Sequence, residues 1–224
     1  VHSDYDASEY EKSVDSFDWY YENTDFEALK EKKPKKVWRF HGHRLPGYRM
    51  RIIEGTMASD KVLALSKQKK TSLTVLFVAM LIRSAGISMS VKQKKYPIVV
   101  NVPVNLRAFF PSSTARNFFG VIQIDYHFNR QSDELEDIIA YVNERFKEEL
   151  TKEKLMQRMY KMGKLERNAF MRSVPLSLKD VFMKLAYDMN NKRYTMSLSN
   201  IGVIKMPDAV KPYIDMFDIF VSSD

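Results

Sequence analysis

The sequence predicts an α/β (α+β) fold, a mixed β-sheet flanked by helices, and three observations carry that reading. Segments 96–104 (YPIVVNVPV) and 118–128 (FFGVIQIDYHF) have the β-branched and aromatic content of strands. A segment from 135 to 150 places Leu135, Ile138, Ile139, Val142, Phe146 and Leu150 at steps of three and four, the period of a helix with one buried face. Long helices alternating with strands assemble as helix layers on a sheet. With 45% hydrophobic and 12% aromatic content in 224 residues, the chain has ample material for a core.

Residues 1–44 read as an acidic, aromatic N-terminal segment closed by a Lys-rich linker (KEKKPKK, 30–36), and 45–224 as the folded body. Phe17, Trp19, Tyr20 and Tyr21 are too many aromatics for a free tail, so part of the segment should pack as a helix. Tyr48, Met50 and Ile52 alternate with Arg49 and Arg51, which predicts a half-buried strand. Ser59 then caps a helix bearing Val62, Leu63 and Leu65, and Thr71 or Ser72 starts a second helix, apolar nearly all round and therefore central. A loop with Pro111, Ser112 and Ser113 joins the two main strands, and Ser132 opens the long helix. Met156, Met159 and Met162 prolong its stripe after a break, as adaptable core filling. Ser177 with Asp180 starts a helix carrying Leu178, Val181, Phe182, Leu185 and Met189, and 194–198 and 216–221 read as closing strands.

Composition narrows the function. The chain has no cysteine, which excludes a thiol nucleophile and Cys-based zinc, and only His2, His41, His43 and His127 supply imidazole. The apolar run from Leu73 to Ile82 is far short of the roughly 20 residues of a membrane span, and no secretory leader pattern opens the chain, so the expectation is a cytoplasmic protein without a membrane span. Residues 1–31 carry −8 and the rest +16. A basic body suits anionic ligands, a solvated Lys-rich surface being the plain alternative. No recognised nucleic-acid motif or aromatic-basic interleaving appears, so specific nucleic-acid binding is not expected.

The stretch Val99 to Asp125, VVNVPVNLRAFFPSSTARNFFGVIQID, resembles the V-P-V-N/D-L-R … N-F-F/L-G signature of alcohol acetyltransferases and their condensation-domain relatives in the CoA-dependent acyltransferase superfamily. The flank GTMASDKVLALSKQKKTSLTVLFVAMLI and the late SLSNIGVI agree, so the resemblance covers roughly 45–222. It implies one subdomain, the C-terminal one, of a two-subdomain fold with a tunnel between the halves. The donor would be acyl-CoA or a carrier thioester, with no cofactor bound permanently, and the acceptor a small-molecule alcohol or amine. The family's general base is the second histidine of HHxxxDG in the N-terminal subdomain, and this chain has no adjacent histidines. His41-Gly42-His43 is a decoy, with Pro46 where the motif's Asp would stand. The missing partner is therefore a subdomain bearing HHxxxDG.

By the same resemblance Arg107 shapes the active site by pairing with the motif's Asp. An Arg after an apolar strand needs an acceptor in any case. Without that carboxylate it should be solvated or paired opportunistically. Asn117 and Gly120 match the N-F-F-G element, with backbone roles as turn cap and close approach. Ser197, Ser199 and Asn200 match the family's tunnel lining and can donate uncharged hydrogen bonds to a thioester oxygen. Simple turn formation explains them equally well. Lysines 67, 69, 70, 92, 94 and 95 offer contacts for CoA phosphates or merely solvated charge, and His127, beside Gln123 and Asp125 on a strand face, reads as a surface residue. The function expected is acyl transfer from a thioester to a hydroxyl or amine, with the chain inactive alone. The alternative is a non-catalytic CoA, carrier-protein or protein interaction module. The face that the absent half would cover should be hidden by the aromatic N-terminal segment or by self-association, or leave the chain prone to aggregate.

Overall fold

A computed structural model describes residues 7–22, 36–42, 45–48, 51–166, 180–181, 184–185, 187, 192–204 and 206–217. Helices α1 (Glu9–Ser13), α2 (Ser16–Glu22), α3 (Ser59–Gln68) and α4 (Leu73–Ile87) precede strands β1 (Ile98–Asn105) and β2 (Phe119–Tyr126). Helices α5 (Leu135–Glu149) and α6 (Lys152–Glu166) and the short strand β3 (Met196–Ser197) follow.

The sheet is mixed, in the order β2-β1-β3. β2 runs antiparallel to β1, from Ile98 opposite Tyr126 to Asn105 opposite Phe119, and β3 runs parallel with Val100 beside Met196 and Asn101 beside Ser197. Side chains alternate across a strand, so Ile98, Val100, Val102, Ile122, Ile124 and Tyr126 fall on one face, and all are buried. Against that face α4 brings Leu76, Val78, Ala79 and Ile82, α5 brings Ile138 and Val142, and α6 brings Leu155 and Met159. The near-uniform apolarity of α4 thus marks a helix buried between α5 and the sheet, started by Ser72, whose Oγ accepts the Val75 amide at 3.2 Å. The stripe on α5 continues on α6 after a break at Leu150 and Thr151.

The N-terminal aromatics do pack. Phe17 meets Phe118 edge-on at 5.0 Å, Tyr20 lies against Phe110 and Phe118, and Tyr21 stacks on Tyr160 of α6 at 4.9 Å. Trp19 stays exposed.

The strand expected at 48–52 does not form among the described residues. Pro46–Tyr48 is a 3₁₀ turn, Arg51 and Ile52 are irregular, and Ile52 and Ile53 are exposed. Alternation prepares a segment for pairing, but a strand needs a neighbour to bond. Met216 and Phe217 are likewise irregular and exposed, while 218–221 lie outside the described residues. Ser177, Leu178, Phe182 and Met189 also lie outside them; 180, 181, 184, 185 and 187 are helical, with Val181 and Leu185 exposed. Helix α3 starts after Ala58 without a side-chain cap and buries only Ser66, leaving Leu63 and Leu65 in solvent. Among the described residues no single helix is long and apolar enough to cross a membrane; α3 and α4 qualify only together and are bent by 84°.

Candidate functional site

The second face of the sheet carries the family-matched Ser197 and, Val99 apart, is partly to fully exposed among the described residues. By register it presents Val99, Asn101, Pro103 and Asn105 of β1, Val121, Gln123 and Asp125 of β2, and Ser197 of β3, and of these Val99, opposite Asp125, is buried. Its middle row is polar and uncharged, running across the strands from Ser197 through Asn101 to Gln123, whose Nε2 donates to Asn101 Oδ1 at 2.9 Å. On one side the row is followed by Pro103 opposite Val121 and Asn105 opposite Phe119, with Val121 and Phe119 39% and 49% exposed. On the other side comes Asp125, whose Oδ2 lies 3.4 Å from His127 Nε2 and whose Oδ1 lies 3.5 Å from Arg145 Nη2. His127 is therefore half-buried beside a carboxylate rather than free on the surface.

One end of this face is built by the residues following β1 and β3. The two strands are parallel, so Arg107, two residues past β1, and Asn200, three past β3, leave the sheet at the same end. Asn105 Oδ1 accepts the Arg107 amide at 3.1 Å and starts the turn Leu106–Ala108. The Arg107 side chain is not simply solvated: Nη2 donates to the carbonyls of Thr114 at 2.9 Å and Arg116 at 2.5 Å. Asn117 is exposed and makes no side-chain hydrogen bond among the described residues. At Gly120 an added Cβ would stand 3.3 Å from Leu106 Cδ2, so the strand passes close over the buried leucine.

Asn200 forms the turn after β3. Its Oδ1 accepts the Gly202 amide at 3.0 Å, and Gly202 adopts φ +74°, a conformation suited to glycine. Its Nδ2 donates to Thr74 Oγ1 at 3.0 Å, tying the turn to the first residues of α4. Ser197 and Ser199 are exposed. Turn formation and an open position on the face are thus combined in the same four residues.

The six lysines form two runs, although Lys69 and Lys94 reach carboxylates only three residues apart. Lys67, Lys69 and Lys70 precede α4 and Lys92, Lys94 and Lys95 follow it, a separation of about 22 Å along a 15-residue helix. Lys69 pairs with Glu136 at 2.5 Å and Lys94 lies 3.9 Å from Asp133. Lys95 and Lys36 sit over the Tyr96 ring, and a hydrogen bond from Lys36 and the charges of both lysines hold its phenol below the usual range. His41 is exposed and His43 lies outside the described residues; among the described residues no three metal-ligating side chains cluster.

Sequence reading did not single out Asn101, Gln123 or Asp125 as site residues. Their signal was present: each is a polar residue inside an apolar strand, on the parity opposite that of Ile98, Val100, Ile122 and Ile124.

The alcohol acetyltransferase family model matches residues 51–219, three quarters of the chain, and its span contains the sheet, the Arg107 loop and the Asn200 turn. No curated protein and no solved structure shows significant similarity. A family match of that extent, over the strands and loops that build the open face, makes the chain a member of the alcohol acetyltransferase family.

Proposed function

We propose that this chain is the C-terminal subdomain of an acyl-CoA-dependent O/N-acyltransferase and forms one wall of its active site with the open sheet face. The observation that supports this most directly is the row Ser197, Asn101 and Gln123, a strip of uncharged donors on a face bounded at one end by Arg107 and Asn200. In the reaction a general base removes the proton of an alcohol or amine, the freed oxygen or nitrogen attacks the thioester carbonyl, and the carbon–sulfur bond breaks to release the CoA thiol. Charge develops on the carbonyl oxygen, and fixed neutral donors stabilise it without having to reorganise. The base belongs to a partner subdomain bearing HHxxxDG, since this sequence has no adjacent histidines. Acyl-CoA, or a carrier thioester, is a substrate rather than a resident cofactor.

The test measures free thiol released from acetyl-CoA with a panel of alcohols and amines. The chain alone should show no turnover, because losing a general base lowers the rate by roughly 10²–10⁴-fold. Addition of a motif-bearing half should restore it. Turnover by the chain alone, abolished by His43→Ala or His127→Ala, would overturn the proposal. Acyl-CoA binding without turnover even in the presence of that half would favour a non-catalytic binding module.

A further inference from the structure

The loop that presents Arg107 is held by the N-terminal helices. Helix α1 has only five residues, too few to persist alone, and both its ends are satisfied. At the start Ser8 and Glu11 form a reciprocal capping box. At the other end its unpaired carbonyls need donors, and the loop between β1 and β2 supplies them. Ala115 N donates to Glu11 O at 2.8 Å, Arg116 Nε to Lys12 O at 2.9 Å, and Thr114 Oγ1 to Val14 O at 2.6 Å. Two further contacts come from α2: Ser16 Oγ shares a 2.7 Å hydrogen bond with Ser112 Oγ, and Tyr20 donates to Pro111 O at 2.7 Å.

Thr114 joins this strap to the arginine. It is 6% exposed, a buried polar residue in a loop. Its hydroxyl donates to Val14 O and accepts the Arg116 amide at 3.2 Å, while its own carbonyl, with that of Arg116, accepts Arg107 Nη2. The hydroxyl thus sets the spacing of the two carbonyls that aim the guanidinium. Arg107 Nη1 and Nε have no partner among the described residues, so the clamp uses one corner of the fork and leaves the rest available.

We propose that residues 7–22 are a positioning strap for Arg107 and that Thr114 is the positioning residue through which they act. The mechanical coupling stands on these hydrogen bonds; only the value of an aimed Arg107 to acyl transfer rests on the function proposed above. The test therefore uses the full chain and no turnover assay. Thr114→Val keeps the shape and removes the hydroxyl, and Thr114→Ser restores it. Two readouts apply: amide hydrogen exchange by segment, and the side-chain ¹⁵N–¹H resonances of Arg107, whose Nη2 protons should be resolved when rotation is restricted. In Thr114→Val, exchange should rise about tenfold in both 7–22 and 106–118 while 135–149 is unchanged, and the Nη2 protons should average. Thr114→Ser should behave as wild type. Resolved Nη2 protons in Thr114→Val, or faster exchange in 106–118 with 7–22 unmoved, would overturn the coupling. Ser16→Ala should loosen the same two segments more weakly, and an effect confined to α2 would count against the strap.

Discussion

The two faces of this one sheet differ in what holds them. On the face against α4, α5 and α6, Ile98, Val100, Ile122 and Ile124 are fully buried, and packing does the work. On the opposite face Asn101, Gln123 and Ser197 form a polar row beside half-exposed Val121 and Phe119, and no described helix covers them. Residues one position apart on the same strand therefore belong to different energetic regimes. Stability is concentrated where alternation points inward, and the outward positions, buried Val99 apart, are free to carry chemistry.

The sharpest way to break this contrast is on β2. Ile124→Ala removes fully buried methyl groups and should cost about 2–5 kcal/mol. Val121→Ala, three residues away on the open face, should stay within about 0.5 kcal/mol. Chemical denaturation of both variants checks the pair, and equal losses would mean the open face is covered.

A second prediction concerns acid. Burial opposes the charge on Glu149, but hydrogen bonds from Lys154 at 2.9 Å and from Arg158 outweigh it, and Arg145 lies 3.3 Å away; its carboxyl is held below the usual range. A carboxyl lowered in the folded state stabilises the fold above its unfolded value of about 4.3 and loses that contribution as pH falls through the folded value. Melting temperature should fall on acidification below about pH 5, and Glu149→Gln should be less stable at neutral pH with a shallower acid slope. A parallel slope in the variant would exclude Glu149 as the group titrating.

A smaller effect than at Ile124 is expected at the polar row. Gln123→Ala removes one part-buried hydrogen bond and should cost about 1 kcal/mol or less, while lowering kcat in the complemented enzyme more than it raises KM. Steady-state kinetics beside a melting curve separates the two, and unchanged kinetics would take Gln123 out of the site.

The main strands and the α4, α5 and α6 helices were legible because each announces its own burial: β-branched and aromatic content in 96–104 and 118–128, a stripe in 135–150, all-round apolarity in 73–87. The segment 48–52 shows the limit of that logic. Its polar-apolar alternation is regular, yet among its described residues none pairs with a strand. The site was legible at Arg107, Ser197, Ser199 and Asn200 only through resemblance to a family pattern, while Asn101 and Gln123 become a row only when the register is known. Thr114 could not be found locally at all, since its hydroxyl bonds to a carbonyl 100 residues earlier.

Pro103 determines how far the sheet can grow. Residues 99 and 101 turn their backbone groups toward β3, as the bonds from Thr195 N to Val99 O and Leu198 N to Asn101 O show. By the same alternation residue 103 faces that side, and a proline there has no N–H to offer. The parallel ladder loses its next rung, and the chain after Leu198 is released from the sheet just where Ser199 and Asn200 turn toward α4. A single missing hydrogen atom on β1 thereby fixes where a strand stops being a strand on its neighbour, and an N–H restored by Pro103→Val would invite β3 to lengthen at the expense of that turn.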